Sequence, residues 1–137
     1  LLRTVTESQE VFLADIDVLE VIVKAVHERH GFDVCAMDMS EFPLTMDVFL
    51  LTSAENRIQS RAIADHIERK ARDMGRRLHH REGYEEGSWI LLDFVDLVIH
   101  IFLPETRNYY NLEMLWNDAP SLRYEDESTD GSDNVTE

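Results

Sequence analysis

Apolar residues recur along the chain with two periods, and the change from one to the other divides it into elements. Ile16, Leu19, Val23 and Val26 stand at helical spacing, and Val18, Ile22 and Ala25 widen the stripe. A stripe that wide predicts a largely buried helix, stopped by Gly31. Thr6 and Gln9 have capping-box spacing, so this helix could begin as early as Thr6; residues 1–14 are otherwise an uncertain segment. Residues 33–38 and 46–53 read as strands, separated by a turn at Glu41-Phe42-Pro43. Residues 55–74 predict a long helix with Ile58, Ala62, Ile67, Ala71 and Met74 on its apolar face and Gly75 at its end. A short strand at 76–81, an acidic turn-rich loop at 83–87, a hairpin from 88–94 and 96–103, and a last helix at 105–116 follow. That helix would carry Tyr109, Leu112 and Trp116 near one face. The order α-β-β-α-β-β-β-α predicts a single α/β (α+β) domain, a mixed sheet of about five strands flanked by helices.

The hairpin makes the sharpest statement about surface. With Phe94 and Val95 as a two-residue turn, Asp93 faces Asp96, Leu91 faces Val98 and Trp89 faces His100. Alternation then gives one apolar face, with Ile90, Leu92, Leu97, Ile99 and Ile101. The other face mixes Trp89, Leu91, Val98 and Phe102 with Asp93, Asp96 and His100. Opposed like charges destabilise a strand pair, so this second face calls for an explanation. Either the acids await a basic partner with Trp89 as an aromatic anchor, or the last helix covers the face and arginines pair the acids internally.

Charge narrows the choice of partner. The 137 residues hold 28 acids and 13 bases, a formal net charge of −15, with 44% apolar residues to build one core. A chain this acidic is repelled by bare nucleic acid and by anionic membranes. The longest apolar run, 97–103, is interrupted by His100 and is far short of the roughly 18 residues of a membrane span. From Pro120 onward composition predicts an acidic disordered tail: residues 118–137 hold seven acids and one arginine, a net of −6. No secretory signal is visible, but the chain opens on Leu1 rather than Met, so a preceding leader stays open. The single cysteine, Cys35, lies in an apolar stretch and reads as a core residue.

Several blocks of sequence resemble a known family. Gly83-Tyr84-Glu85-Glu86-Gly87-Ser88-Trp89-Ile90-Leu91-Leu92-Asp93-Phe94 is similar to its "EG…W-hydrophobic-LLD-aromatic" block. Asp96 to Glu105 is similar to "D-V-V-V-H-V-F-L-P-E", and Arg107, Tyr110, Leu112, Glu113, Leu115 and Trp116 fit "R-x-x-Y-x-L-E-x-L-W", closed by Asp118-Ala119-Pro120. Upstream, Asp47-Val48-Phe49 and Gln59 through Asp65 resemble "D-Y-F…Q-x-x-A-I-A-D". The chain thus resembles the Iojap family of ribosomal silencing factors over residues 17–120. The resemblance implies a nucleotidyltransferase-like topology, a ribosome-binding domain at 15–119 and no enzymatic activity. It also implies binding to a basic protein of the large ribosomal subunit, the one numbered fourteen, and obstruction of subunit joining, so that translation is repressed. Organelle relatives act in large-subunit assembly, the alternative role. The closing Trp-x-Asp-Ala-Pro points to a bacterial, cytoplasmic protein rather than one of an organelle matrix or stroma. By matching position Trp89, Asp93, His100 and Tyr110 are expected at the docking surface, with Asp96 beside them. Ala54 and Val95 stand where the family usually has glycine, and a β-branched residue resists positive φ, which puts the turn or its register in question.

Other chemistries find less support in the residues. Asp93 and Asp96 could in principle hold a metal ion for nucleotidyl transfer, yet the matching phosphate-loop turn reads Thr52-Ser53-Ala54-Glu55, without glycine. His27 with His30, and His79 with His80, lack the further ligands of a zinc set, and Ser53 lacks a triad. No cofactor, small-molecule substrate or membrane contact is expected. Arg57, Arg61, Arg69, Arg72, Arg76, Arg77 and Arg81 form the basic cluster, either a solvated, internally paired face or a peripheral contact to ribosomal RNA. Tyr109 and Trp116 read as helix packing, while Tyr110 could border the hairpin surface.

Overall fold

The computed structural model describes residues 16–42 and 46–126. Its elements in chain order are α1 (Ile16–Glu28), β1 (Phe32–Asp38), β2 (Val48–Ser53), α2 (Arg57–Asp73), β3 (His80–Glu82), β4 (Trp89–Asp93), β5 (Leu97–Phe102), α3 (Pro104–Tyr110), α4 (Leu112–Leu115) and β6 (Ser121–Tyr124). The strands form one mixed sheet in the order β3-β4-β5-β2-β1-β6, in which only β2 and β5 run parallel. The fold is the expected single α+β domain, with six strands rather than about five. The helix start near Thr6, Pro43 of the turn, and the acidic residues after 126 lie outside the described residues.

Both faces of the sheet are packed, which is why β2 and β5 are buried along their whole length. On one face α1 and α2 close over Val34, Ala36, Leu50, Ile90, Leu92, Ile99 and Ile101. Helix α2 starts cleanly: the Asn56 side chain accepts from Gln59 N at 2.8 Å, satisfying one of the amides a helix start leaves free. Its buried stripe is Ser60, Ile63, Ala64, His66, Ile67 and Ala71. Ile58 and Met74, expected in that stripe, are 76% and 39% exposed: Ile58 stands half a turn around the helix from Ile67 and points away from the sheet, and Met74 caps the helix past its last turn. On the other face Cys35, Met37, Met39, Phe49, Leu51, Val98 and Phe102 pack under Phe42, Met46, Leu112 and Trp116.

The last helix is broken. Asn111 adopts a left-handed conformation (φ 48, ψ 58), a region asparagine tolerates better than most residues, and it ends α3 and caps α4. Residues six apart in one straight helix point to different sides, so they cannot pair. The break brings Arg107 against Glu113: Nε donates to Oε1 at 3.1 Å and an Nη to Oε2 at 2.9 Å. The other Nη donates to Asp33 O at 2.7 Å and to Ser53 Oγ at 2.8 Å, and Arg123 of β6 also donates to Glu113, at 2.8 Å. One buried guanidinium therefore ties α3, α4, β1 and β2 together. The break also turns Tyr109 outward, 80% exposed, instead of onto the face shared by Leu112 and Trp116. Beyond it, residues 121–124, placed by composition in the disordered tail, pair with β1 as the edge strand β6, with Leu122 buried.

The hairpin turn sits one residue later than expected. Phe94 N donates to Leu97 O at 2.8 Å and Asp96 N to Phe94 O at 3.1 Å, a γ-turn centred on Val95 at φ 80. The pairs become Trp89 with Phe102, Leu91 with His100 and Asp93 with Val98. The Phe94 ring decides this register. It is 5% exposed here, and burying it is worth about 2–3 kcal/mol, against roughly 1–2 kcal/mol for a left-handed valine. The new register also separates Asp93 from Asp96. Pairing has shifted by two, which matches the alternation period, so every side chain keeps its predicted face.

Two stability predictions follow from these geometries. Glu113→Ala leaves the Arg107 guanidinium buried without its carboxylate and should cost about 3 kcal/mol in urea unfolding. Arg72→Ala removes only the exposed 3.7 Å pair with Glu68 and should cost less than about 0.5 kcal/mol; equal losses would remove the clamp from the account. Val95→Gly relieves the positive φ of an exposed side chain and should raise stability by about 1 kcal/mol, read as a higher urea midpoint with unchanged slope.

Candidate functional site

The second sheet face is covered unevenly, and the uncovered part holds most of the residues the sequence singled out. Trp116 packs edge-on to Phe42 at 5.1 Å and sits beside Cys35 and Met37 on the β1 side. Toward β4 the cover thins, and Trp89, Leu91 and Asp93 are each half-buried. The Trp89 ring lies 4.9 Å from Phe102 and 4.8 Å from Tyr110, which is 51% exposed. Tyr109 meets Tyr110 edge-on at 5.0 Å. Met114 and Leu115 of α4 are 63% and 65% exposed. Sequence reading missed Tyr109, Met114 and Leu115 as surface, because the helix break at Asn111 leaves no mark in the apolar spacing.

The two acids have different fates. Asp96 stands in the turn, where Arg76 donates to it at 2.6 Å, so this carboxylate has its cation within the chain. Asp93 accepts the Val95 N–H at 2.7 Å and, among the described residues, has no ion-pair partner. Internal pairing with an arginine, one of the two explanations offered for this face, holds for Asp96. The pair does not converge on a common point, and among the described residues no group of three or more His, Cys, Asp or Glu could hold a metal ion.

His100, expected at the docking surface, is buried, 3% exposed, between Phe49 edge-on at 4.7 Å and Phe102 stacked at 6.0 Å. Trp89 Nε1–H donates to its Nδ1 at 3.0 Å. Burial pushes its pKa down from 6.5 to about 4, so the ring is neutral near pH 7. With Nδ1 accepting, the proton sits on Nε2, which finds no partner among the described residues. Leaving such a group unpaired costs about 1–3 kcal/mol.

The basic cluster is spent internally. Arg57 and Arg61 donate to the Glu86 and Glu85 carbonyls of the acidic loop, Arg72 pairs with Glu68, and Arg76 with Asp96. Arg81 reaches Glu68 and lies over the Tyr84 ring at 4.0 Å, and Arg69 donates to His66. Among the described residues only Arg77 of the seven lacks a side-chain partner, which leaves the expected peripheral RNA contact with one free cation. A second candidate, an open cleft of about 520 Å³ at the carboxyl ends of β2 and β5, is lined by Ser53, Arg107, Asn108 and Arg123. Ligands favour that end of parallel strands, but the Arg107 fork there is already occupied by Glu113, Asp33 and Ser53.

Comparison with known proteins bears on the family and the fold. The family model described as "Ribosomal silencing factor during starvation" matches residues 13–137. Ribosomal silencing factor RsfS of Halalkalibacterium halodurans is 35% identical over 113 residues, covering 82% of this chain and 97% of that protein. The mouse protein named "Mitochondrial assembly of ribosomal large subunit protein 1" is 29% identical over 101 residues, 72% of this chain and 44% of its own length. A crystal structure of a Chromobacterium violaceum protein superposes with a TM-score of 0.72 at 27% identity, covering 74% of this chain and 85% of that one. No helix of the described residues is long and apolar enough to cross a membrane.

The buried histidine gives the site a pH signature. Its folded pKa is depressed, so as pH falls the unfolded chain takes up the proton first. The His100 contribution is complete above about pH 6.5 and is lost as pH drops to about 4. Across that window the chain should lose about 3 kcal/mol more than His100→Leu does, measured by urea unfolding at stepped pH. Identical pH dependences for the two would contradict the assignment.

Proposed function

The chain belongs to the ribosomal silencing factor family, and from that premise we propose that it docks on a basic protein of the large ribosomal subunit, the one numbered fourteen, and blocks joining of the small subunit. The observation that carries this reading is the half-open Trp89–Tyr110 pair, with Asp93 half-buried on the same sheet face at the far end of β4. An aromatic pair gives a rigid anchor that loses little entropy when a partner covers it. Asp93, without a cation of its own, supplies the polarity that selects a basic protein over an acidic one.

The net charge of −15 acts in the same direction. It opposes binding to exposed ribosomal RNA and favours a cationic protein surface set within it. No bond need be made or broken for such a factor to act. A domain seated at the subunit interface excludes the small subunit by occupying its contact, so translation falls through occupancy rather than catalysis. In a bacterium the site of action is the cytoplasm; the mouse relative's name ties the same domain to large-subunit assembly in an organelle, the second role open to it.

Co-sedimentation with purified large subunits, scored also for joining to small subunits, tests the reading. Trp89→Ala and Asp93→Arg should each weaken binding by about 2 kcal/mol or more, roughly thirtyfold, and restore joining. Asp17→Arg makes the same charge change on α1, across the sheet, and should leave both unchanged within about threefold. Equal effects of all three would remove this face from the model.

A further inference from the structure

A buried histidine whose Nε2–H finds no partner among the described residues is an expensive way to fill a core position between two phenylalanines. Leucine would pack among Phe49, Phe102 and Leu91 with nothing left unpaired. What histidine adds at this position is one acceptor, Nδ1, and that acceptor meets the Trp89 indole N–H at 3.0 Å. The other contacts of the Trp89 side chain among the described residues are apolar packing and ring contacts, Phe102 at 4.9 Å and the half-exposed Tyr110 at 4.8 Å. Ring contacts at these distances tolerate sliding and tilting, whereas an N–H bond to a fixed acceptor sets the direction of the indole plane.

We propose that His100 is a positioning residue: it touches no partner, but fixes the indole of Trp89 through Nδ1 so that the half-open Trp89–Tyr110 pair presents one preformed surface to the ribosomal protein. Two features support this beyond the single bond. The imidazole is itself immobile, wedged against Phe49 and Phe102 on the central strand β5, so the orientation it imposes is anchored in the sheet rather than in a loop. Its neutral state also keeps Nδ1 free to accept, since a doubly protonated ring has only donors. A preformed aromatic anchor binds more tightly than a mobile one because less freedom is lost on docking. The inference rests on the docking reading above, and the experiment separates the two.

His100→Asn places Oδ1 close to where Nδ1 stands and keeps an acceptor for the indole, at the expense of packing. His100→Leu keeps apolar bulk and removes the acceptor. A role confined to packing makes leucine the milder change in every assay. The positioning role reverses the order in two of them. The Trp89 indole N–H resonance, assigned with Trp116→Phe as reference, should stay downfield and protected from solvent exchange in the asparagine variant and lose both properties in the leucine variant. Affinity for purified large subunits should fall about fivefold to tenfold for leucine and less for asparagine, although leucine unfolds at the higher urea concentration. In a Trp89→Phe background, His100→Leu should change affinity no further. Leucine binding as tightly as the unmodified chain, or an undisturbed indole resonance in that variant, overturns the proposal. If the unmodified chain fails to bind large subunits, the docking reading falls, while the indole resonance still judges whether His100 orients Trp89.

Discussion

The Arg107–Glu113 fork determines how much of the second sheet face stays open. The chain leaves β5 through Pro104 and must return across the sheet to pair β6 with β1. A single straight helix from 104 to 116 would carry Arg107 and Glu113 on different sides, leaving a buried guanidinium with only Asp33 O and Ser53 Oγ. The left-handed Asn111 breaks the helix, closes the fork and sends α4 toward β1, where Leu112 and Trp116 cover the methionine-rich half of the face. Over the β4 half, Tyr110 packs on Trp89 and leaves it half-buried. The half-open aromatic pair is thus a consequence of where one ion pair puts the helix break.

The sheet's alternation made the face legible before its pairing was known. Trp89, Leu91 and Asp93 share a side with Val98, His100 and Phe102 in either register, because the two registers differ by one full alternation period. The register itself was not legible, since it turns on whether Phe94 is worth more in the core than Val95 loses at positive φ, a balance between two terms of similar size. Helix α2 was readable from its length and its stop at Gly75, but Ile58 lies on the side opposite the buried stripe and Met74 past the last turn. Composition misled at 121–124, where four residues with one buried leucine gain their order from the β1 edge and carry little pattern of their own. The break at Asn111 left no periodicity signal, because Tyr109, Leu112 and Trp116 satisfy a helical spacing on paper.

Burial sorted the candidate residues into roles. Asp96 and His100, equal to Asp93 and Tyr110 as letters, face inward obligations: one holds Arg76 and the other the Trp89 indole. The arginines of α2 and the segment after it neutralise the acidic loop at 83–87 and the acids of their own helix. Asp93, on the same sheet face as the aromatic pair, has no ion-pair partner among the described residues, on a chain already carrying an excess of acids, and that combination fits a cationic protein partner better than nucleic acid.

Site-specific photocrosslinking tests this account most directly. A photoreactive side chain in place of Tyr109, 80% exposed and edge-on to Tyr110 of the aromatic pair, would be activated on isolated large subunits and its targets identified. The account predicts a dominant adduct with one basic protein of the large subunit, suppressed by prior joining of small subunits. Adducts confined to ribosomal RNA, or the same adduct at equal yield from a probe in place of Glu20 on α1, would contradict it.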